Sequence, residues 1–234
     1  MTEILGNKTE IILHNMDNMK FSTDRKFDLI FADYIYENDV FDWAVKHFRD
    51  HLKPASIFIA MSDYKTDFLF RYFMEKIVNT ATLVNDAKWK CEWGNHPKDR
   101  FHQCYDSIMI YSNAKKGWKF RSEVVQVPKA TAKTNLNPSG RMTKTATAWI
   151  DDIVLTTTAK ERVKKSDGKL IRWQKPLRLY DRIIAPFTNE GDWVLDLFAG
   201  SGSLGKWCKM NNRNYVGIEL DKEVYKLAKK NIGG

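Results

Sequence analysis

The densest concentration of chemistry-bearing residues in the chain is Asp196-Leu-Phe198-Ala-Gly200-Ser-Gly202-Ser-Leu-Gly205-Lys206, followed by Tyr-Val-Gly-Ile-Glu219-Leu-Asp221. The order is an apolar strand, a glycine turn, a helix, a second strand and an acid. Glycines in such a turn let a ligand approach the backbone N–H groups at a helix N-terminus. Glu219, 19 residues beyond Gly200, stands where a carboxylate can accept hydrogen bonds from two ribose hydroxyls. Three ligands compete for this pattern. Gly200 through Gly205-Lys206 has the spacing of a phosphate-binding P-loop, but Trp207 occupies the place of the Ser or Thr that would hold Mg²⁺. Gly200-x-Gly202-x-x-Gly205 also fits a dinucleotide fingerprint. Asp196, immediately before the turn, favours instead a cationic ligand such as the amino group of S-adenosylmethionine.

A second constellation is Phe27-Asp-Leu-Ile-Phe-Ala-Asp33-Tyr34-Ile35-Tyr36. An apolar strand delivers a carboxylate, and an aromatic three residues on, to the loop at its C-terminal end, where α/β sheets bind ligands. These groups suit methylation of an exocyclic base amine, whose nitrogen lone pair is delocalised into the ring. A carboxylate (Asp33) and a backbone carbonyl (that of Tyr34) accepting its two N–H bonds draw the nitrogen towards tetrahedral geometry. Positioning for in-line displacement then provides much of the catalysis. Tyr36 offers a face on which a base rotated out of a duplex can stack.

The elements that must hold these residues alternate between strand and helix. Strands are expected at Ile11–His14, Phe27–Ala32, Ala55–Met61, Thr82–Trp89, Ser107–Tyr111, Trp193–Leu197 and Tyr215–Ile218. Helices are expected from Asn38 or Asp39 to about Leu52 and over the segment Asp67-Phe-Leu-Phe-Arg-Tyr-Phe-Met-Glu-Lys-Ile-Val78. Three more are expected at Leu177–Pro186, Leu204–Asn211 and Lys222–Asn231. Such alternation predicts a doubly wound, mostly parallel α/β sheet. The sequence continues only 15 residues past Glu219, so the strands completing the nucleotide-binding sheet must come from the N-terminal half, in permuted order. The 234 residues are 43% hydrophobic and 13% aromatic, which excludes a disordered chain, and no apolar run approaches the ~20 residues of a membrane span.

Charge is unevenly placed. The chain carries +9. Residues 112–148 hold eight basic side chains (Lys115, Lys116, Lys119, Arg121, Lys129, Lys133, Arg141, Lys144) and one acid, and residues 149–175 hold seven and four. The basic segment therefore has +10 and the rest of the chain −1, the footprint of a polyanion binder. Trp118 and Phe120 among these cations could stack on nucleic acid or anchor the loop to the body. Cys91, Cys104 and Cys208 form no CxxC pair and none follows a proline, so neither a zinc knuckle nor cytosine-C5 chemistry is indicated. His47, His51, His96 and His102 lack metal-ligand spacing and read as surface residues; no metal is expected.

Taken together, these motifs resemble the permuted, β-class DNA amino-methyltransferases, which act on adenine N6 or cytosine N4. In that family an Asp-Pro-Pro-Tyr loop comes first, a target-recognition insert follows, and a Phe-x-Gly-x-Gly turn is C-terminal. Trp173-Gln174-Lys175-Pro176 resembles the family's Thr-Gln-Lys-Pro segment, and Trp149-Ile-Asp-Asp152 its Trp-x-Asp stretch. The resemblance implies a Rossmann-like methyltransferase fold, with a catalytic half at 1–111, a recognition insert at 112–172 and a cofactor-binding half at 173–234. It implies S-adenosylmethionine as cofactor, held by Asn15, Asp33, the Lys175-Pro176 backbone, Asp196, Phe198, Gly200, Gly202, Glu219 and Asp221. Asp33, Tyr34 and Tyr36 are the implied catalytic residues, and the eight cations of 112–148 the implied DNA contacts. The partner is double-stranded DNA, a homodimer is left open, and the setting is cytoplasmic, of prokaryotic or phage type. Two departures stand out: Tyr34 and Ile35 replace both loop prolines, and Asn15 follows His14 where the family has Gly-Asp. Adenine N6 is favoured because cytosine enzymes of the family commonly carry Ser at the place of Asp33. Cytosine N4, an RNA or protein amine acceptor, and a DNA-binding relative without turnover remain open.

Overall fold

In the computed structural model the described residues are 9–34, 41–63, 65–90, 97–134, 139–154, 161–165, 167–171 and 174–233. Their elements are β1 (Ile11–Asn15), β2 (Phe27–Asp33), α1 (Asp42–Asp50), β3 (Leu52–Ser62), α2 (Asp67–Phe73), β4 (Thr82–Lys90) and β5 (Tyr105–Ser112). The insert adds β6 (Gln126–Pro128), β7 (Thr143–Thr145) and β8 (Trp149–Ile150). The C-terminal part is α3 (Leu177–Ile183), β9 (Trp193–Asp196), α4 (Ser203–Met210), β10 (Asn214–Glu219) and α5 (Lys222–Gly233). Among the described residues one sheet runs in the order β1-β10-β9-β2-β3-β5-β4-β8, and β6 pairs with β7 alone.

The permuted order is visible strand by strand. N-terminal β1 lies parallel to β10 with Asn15 opposite Glu219, and β2 lies parallel to β9 with Phe31 opposite Asp196. These pairings bring the glycine-turn half and the Asp33 half to one sheet edge. Only β5 runs against its neighbours β3 and β4. Side chains of a strand alternate between faces, and here both faces are apolar and covered. Leu29, Phe31, Ile57 and Ile59 pack with Tyr180, Ile183 and Trp207 of α3 and α4. Ile30, Ala32, Phe58 and Ala60 pack on the other side with Trp43, Phe48 and Phe70 of α1 and α2.

Several boundaries differ from the expected ones. The helix expected to run to Leu52 and stop at Pro54 ends at Asp50, and β3 begins before that proline. The β2–β3 register shifts between Phe27 and Leu29, and Ala55 takes φ 52°: the chain absorbs Pro54 in a bulge at the sheet's rim rather than in a turn. The expected helix caps Asn38 and Asp39 lie outside the described residues. The long α2 pattern is broken after Phe73 by a π turn over Met74–Val78. Pro186 converts the end of the expected α3 into a 3₁₀ turn, Ala185–Phe187, because it cannot donate to the helical ladder. No helix among the described residues is long and apolar enough to cross a membrane.

Gly202, which does not line the cavity described below, shows why the turn needs glycine for packing. It has φ 74°, and a Cβ there would lie 2.9 Å from the Ala228 carbonyl oxygen of α5. Gly202→Ala therefore combines left-handed strain with overlap against backbone. It is expected to destabilise the fold by about 2–4 kcal/mol, read as a lower midpoint of thermal unfolding.

Candidate active site

A cavity of about 630 Å³ opens at the C-terminal edge of the parallel strands. Asp33, Asp196 and Glu219, the last residues of β2, β9 and β10, all reach its wall, with Asp17, Phe198, Gly200 and Lys175. Adjacent parallel strands ending at the same level make this convergence a consequence of topology.

Glu219 shapes the glycine turn. Its Oε2 accepts the Gly200 N–H at 2.9 Å and its Oε1 the Asp221 N–H at 2.8 Å. Burial raises its pKa above the ordinary carboxylate value. Each oxygen keeps a further lone pair, so both can still accept a hydroxyl. Asp196 is buried, and burial is the main cause that raises its pKa to about 7. Hydrogen bonds from the Tyr215 hydroxyl (3.0 Å) and the Phe198 N–H (3.3 Å) act in the opposite direction. Sequence reasoning missed Tyr215. Its signal is Gly217, where a Cβ would stand 2.3 Å from the Tyr215 hydroxyl oxygen; the glycine makes room for that hydroxyl on its way to Asp196.

Asp33 is tied to a lysine. Lys175 Nζ lies 2.8 Å from Asp33 Oδ2 and 3.0 Å from Oδ1. Only the Lys175-Pro176 backbone was expected at the site; the Lys175 side chain reaches it, and Pro176 is absent from the cavity wall. Gln174, on the wall, braces residues 161–163: its Oε1 accepts the Val163 N–H at 2.9 Å and its Nε2 donates to the Glu161 carbonyl. Tyr34 has its ring in the core, stacked on Phe70 at 5.4 Å between centroids, and its hydroxyl donates to Ser62 Oγ at 2.8 Å. Burial pushes that phenol up to about 12. The ring thus pins the backbone at a position where the resembling family uses proline. Ile35 and Tyr36 lie outside the described residues, as do Cys91, His96 and Trp173.

Other expected residues stand nearby without lining the cavity. Asn15 donates to the carbonyls of Glu219 and Leu220 at 2.9 and 3.0 Å, while the following Met16 and Asp17 line the wall. Asp221 caps α5, accepting the N–H groups of Glu223 and Val224 at 2.8 and 2.9 Å.

The insert is partly an anchor. Ser112 pairs with Ile57, four residues along β3 from Met61, the partner of Asp33, so the insert leaves from the opposite end of the sheet. There Lys119 pairs with Asp192, Arg121 donates to the Thr188 carbonyl at 3.2 Å, and Phe120 packs on Phe187 at 5.4 Å. Lys115 and Lys116 are exposed near the same end, whereas Lys133, Arg141 and Lys144 are exposed farther along the insert and Lys129 donates to Ser139 Oγ at 3.0 Å. The expectation of surface histidines is corrected at two positions. His47 on α1 and His51 at its C-terminal cap are buried, their Nδ1 atoms 2.9 Å apart, and burial lowers His47 to about 3. No cluster that could hold a metal ion occurs among the described residues.

These features discriminate between the ligands left open. Lys206 turns away to Asn231 of α5 at 3.4 Å, and Trp207 is buried against Asp181, so no P-loop is formed. Among the described residues the wall carries Asp17, Asp33, Asp196 and Glu219 against the ammonium of Lys175. Carboxylates in this excess repel a pyrophosphate and favour a cation.

The DNA methylase family model for N6/N4 methyltransferases matches residues 15–230. The type II methyltransferase M.HpaI of Haemophilus parainfluenzae is 30% identical over 128 residues, 55% of this chain and 38% of that protein. The chain spans well under two thirds of the length of the first such relatives. By fold, it is similar to the M1.HpyAVI–SAM complex (TM-score 0.70, 24% identity, 96% of this chain and 100% of that one). It is also similar to the PvuII cytosine-N4-specific DNA methyltransferase (TM-score 0.69, 14% identity, 96% and 86%). With nearly its whole length matched by the family model, the chain belongs to the N6/N4 DNA methylase family.

Proposed function

We propose that the protein transfers a methyl group from S-adenosylmethionine to an exocyclic amine of a base flipped out of double-stranded DNA, with adenine N6 as the acceptor. The observation that carries this reading is the meeting of Asp33 with Asp196 and Glu219 in one acid-rich cavity. Family membership and the M1.HpyAVI–SAM complex as a fold neighbour support it. Asp rather than Ser at position 33 supports adenine over cytosine.

The cofactor, when bound, supplies an electrophilic methyl group on a sulfonium. Glu219 would accept its ribose hydroxyls, Asp196 would face its ammonium, and Phe198 and Gly200 would complete the wall. Asp33 would accept one N–H of the target amine and the Tyr34 carbonyl the other. The buried Tyr34 ring holds that carbonyl's backbone in place. Tyr36 is proposed as the stacking face. Residues 112–172 are proposed to grip DNA, with Lys129, Lys133, Arg141 and Lys144 on phosphates.

Incubation with S-adenosylmethionine and unmethylated DNA, followed by nucleoside mass spectrometry, tests the reading. N6-methyladenine is expected. N4-methylcytosine would reassign the base, and no modified nucleoside would overturn the reaction.

Two further outcomes follow. Burial pushes the Asp196 carboxyl up to about 7, and an adjacent cation favours its ionised form. Cofactor binding therefore releases a proton, and affinity falls as pH drops below 7, by about tenfold per unit at the limit. Calorimetry in buffers of different ionisation enthalpy reads that proton. Tyr215→Phe removes a hydrogen bond that lowers Asp196, so the midpoint moves to higher pH. For DNA, Lys144→Ala and Arg141→Ala should each reduce the salt dependence of binding by about one unit of slope. Lys119→Ala should leave the slope unchanged and loosen the insert instead.

A further inference from the structure

Lys175 faces a second carboxylate besides Asp33. Its Nζ lies 3.8 Å from Oδ2 of Asp106, at the start of β5. The lysine side chain is 3% exposed and the two carboxylates 19% and 16%. Three segments remote in sequence therefore converge on one ammonium: the end of β2, the start of β5 and the approach to α3. With all three ionised the cluster carries a net negative charge. The ammonium sits close on Asp33 and loosely on Asp106.

The proposed reaction leaves a proton to place, because an amine nitrogen that has gained a methyl group is cationic until it loses one N–H. We propose that Lys175 and Asp106 are positioning residues that let Asp33 accept this proton, the ammonium transferring its ion pair from Asp33 to Asp106 as Asp33 becomes neutral. The inference rests on the role given to Asp33 above. The N–H bond breaks and its electron pair stays on nitrogen, while an O–H bond forms on the Asp33 carboxylate. Lys175 keeps all three of its protons. The positive charge lost by the nitrogen cancels the cluster's net negative charge, and the proton leaves Asp33 to water once the product base has gone. A shift of about 1 Å brings an ammonium from 3.8 Å to hydrogen-bonding distance, within the reach of a flexible lysine stem.

The other titratable groups facing Asp33 fit the scheme. Asp196 from β9 adds negative charge, which favours proton uptake, and Glu219 from β10 interacts electrostatically with Asp196. Tyr180 from α3 is buried and its phenol is raised well above the ordinary value, so it stays neutral and does not compete.

The test is the Asp33 carboxyl titration, followed by ¹³C NMR in protein labelled at aspartate and assigned through Asp33→Asn. Asp106→Asn leaves Lys175 with Asp33 as its charged partner in the cluster, so the Asp33 midpoint should fall by about one unit. Lys175→Met removes the counter-charge, so the midpoint should rise by about as much. The acid limb of the single-turnover pH–rate profile should move in the same two directions, and Asp106→Asn should slow transfer about tenfold at neutral pH with cofactor affinity unchanged. Fixed charges would also displace the midpoint in these two senses, so the transfer itself is read at Asp106. Its carboxyl ¹³C shift should change at the Asp33 midpoint in wild type as the ammonium moves onto it, and an Asp106 signal that does not follow that midpoint overturns the relay. If Lys175→Met does not fold, the downward displacement in Asp106→Asn and the Asp106 ¹³C change in wild type decide together. Displacements that are absent or of one sign, in a protein that methylates DNA, overturn the relay while sparing the proposed function. A wild-type protein that transfers no methyl group overturns the function and the proton step with it.

Discussion

Asp33→Ala is expected to slow methyl transfer under single-turnover conditions by about 10²–10³-fold, while cofactor affinity changes by no more than about threefold. The effect belongs to the chemical step because the carboxylate's hydrogen bond strengthens as the amine nitrogen takes on positive charge. Asp33 ends β2 at 19% side-chain exposure, where little water is available to replace it. Removing the carboxylate also takes from Lys175 its close ion-pair partner, and breaking a buried pair is costly. Here the loss is moderated, because Asp106 stays 3.8 Å from the ammonium. Asp33→Asn, which keeps the shape, should show the same kinetic loss with a smaller change in unfolding temperature. Equal losses in affinity and rate for both variants would mean that Asp33 serves the cofactor rather than the acceptor.

Glu219→Ala should have the opposite signature, weakening S-adenosylmethionine binding by about 100-fold. Its two oxygens hold the Gly200 and Asp221 N–H groups at 2.9 and 2.8 Å. The substitution leaves those N–H groups without their Glu219 acceptor and removes the acceptor proposed for the ribose. Hydrogen bonds to a charged group are worth about 1.5–3 kcal/mol each, so two lost contacts to the cofactor correspond to about 3 kcal/mol or more, near the 100-fold figure. Glu219→Gln, which retains one carbonyl oxygen, should recover part of this. Calorimetric titration measures both variants, and an affinity within about threefold of wild type in Glu219→Ala would contradict the assignment.

The parts of this site legible in the sequence were those set by local pattern. Asp196, Gly200 and Glu219 follow from one strand–turn–helix–strand unit, and Asp33 from an apolar strand ending in an acid. The β1–β10 and β2–β9 pairings have the expected permuted form. What was not legible depends on contacts between distant segments. Nothing near Lys175 announces that its ammonium meets Asp33, 142 residues away. Likewise, Lys119 and Arg121 look like phosphate ligands by composition, yet they meet Asp192 and the Thr188 carbonyl at the far end of the sheet. The histidines were a different case. His47 shares its helix face with Ala44 and Phe48, both buried, so helical periodicity placed it inside, and reading it by metal spacing alone overlooked that signal.

The proposed function requires the cavity at the sheet's edge to join a cofactor methyl group to a DNA amine held by Asp33. The most direct measurement is transfer of a labelled methyl group from S-adenosylmethionine to DNA, RNA and protein acceptors offered in parallel, with wild type and Asp33→Ala. Label is expected in DNA, none in protein, with its loss in the variant. Label in protein or RNA alone, or in DNA undiminished by the substitution, would contradict it.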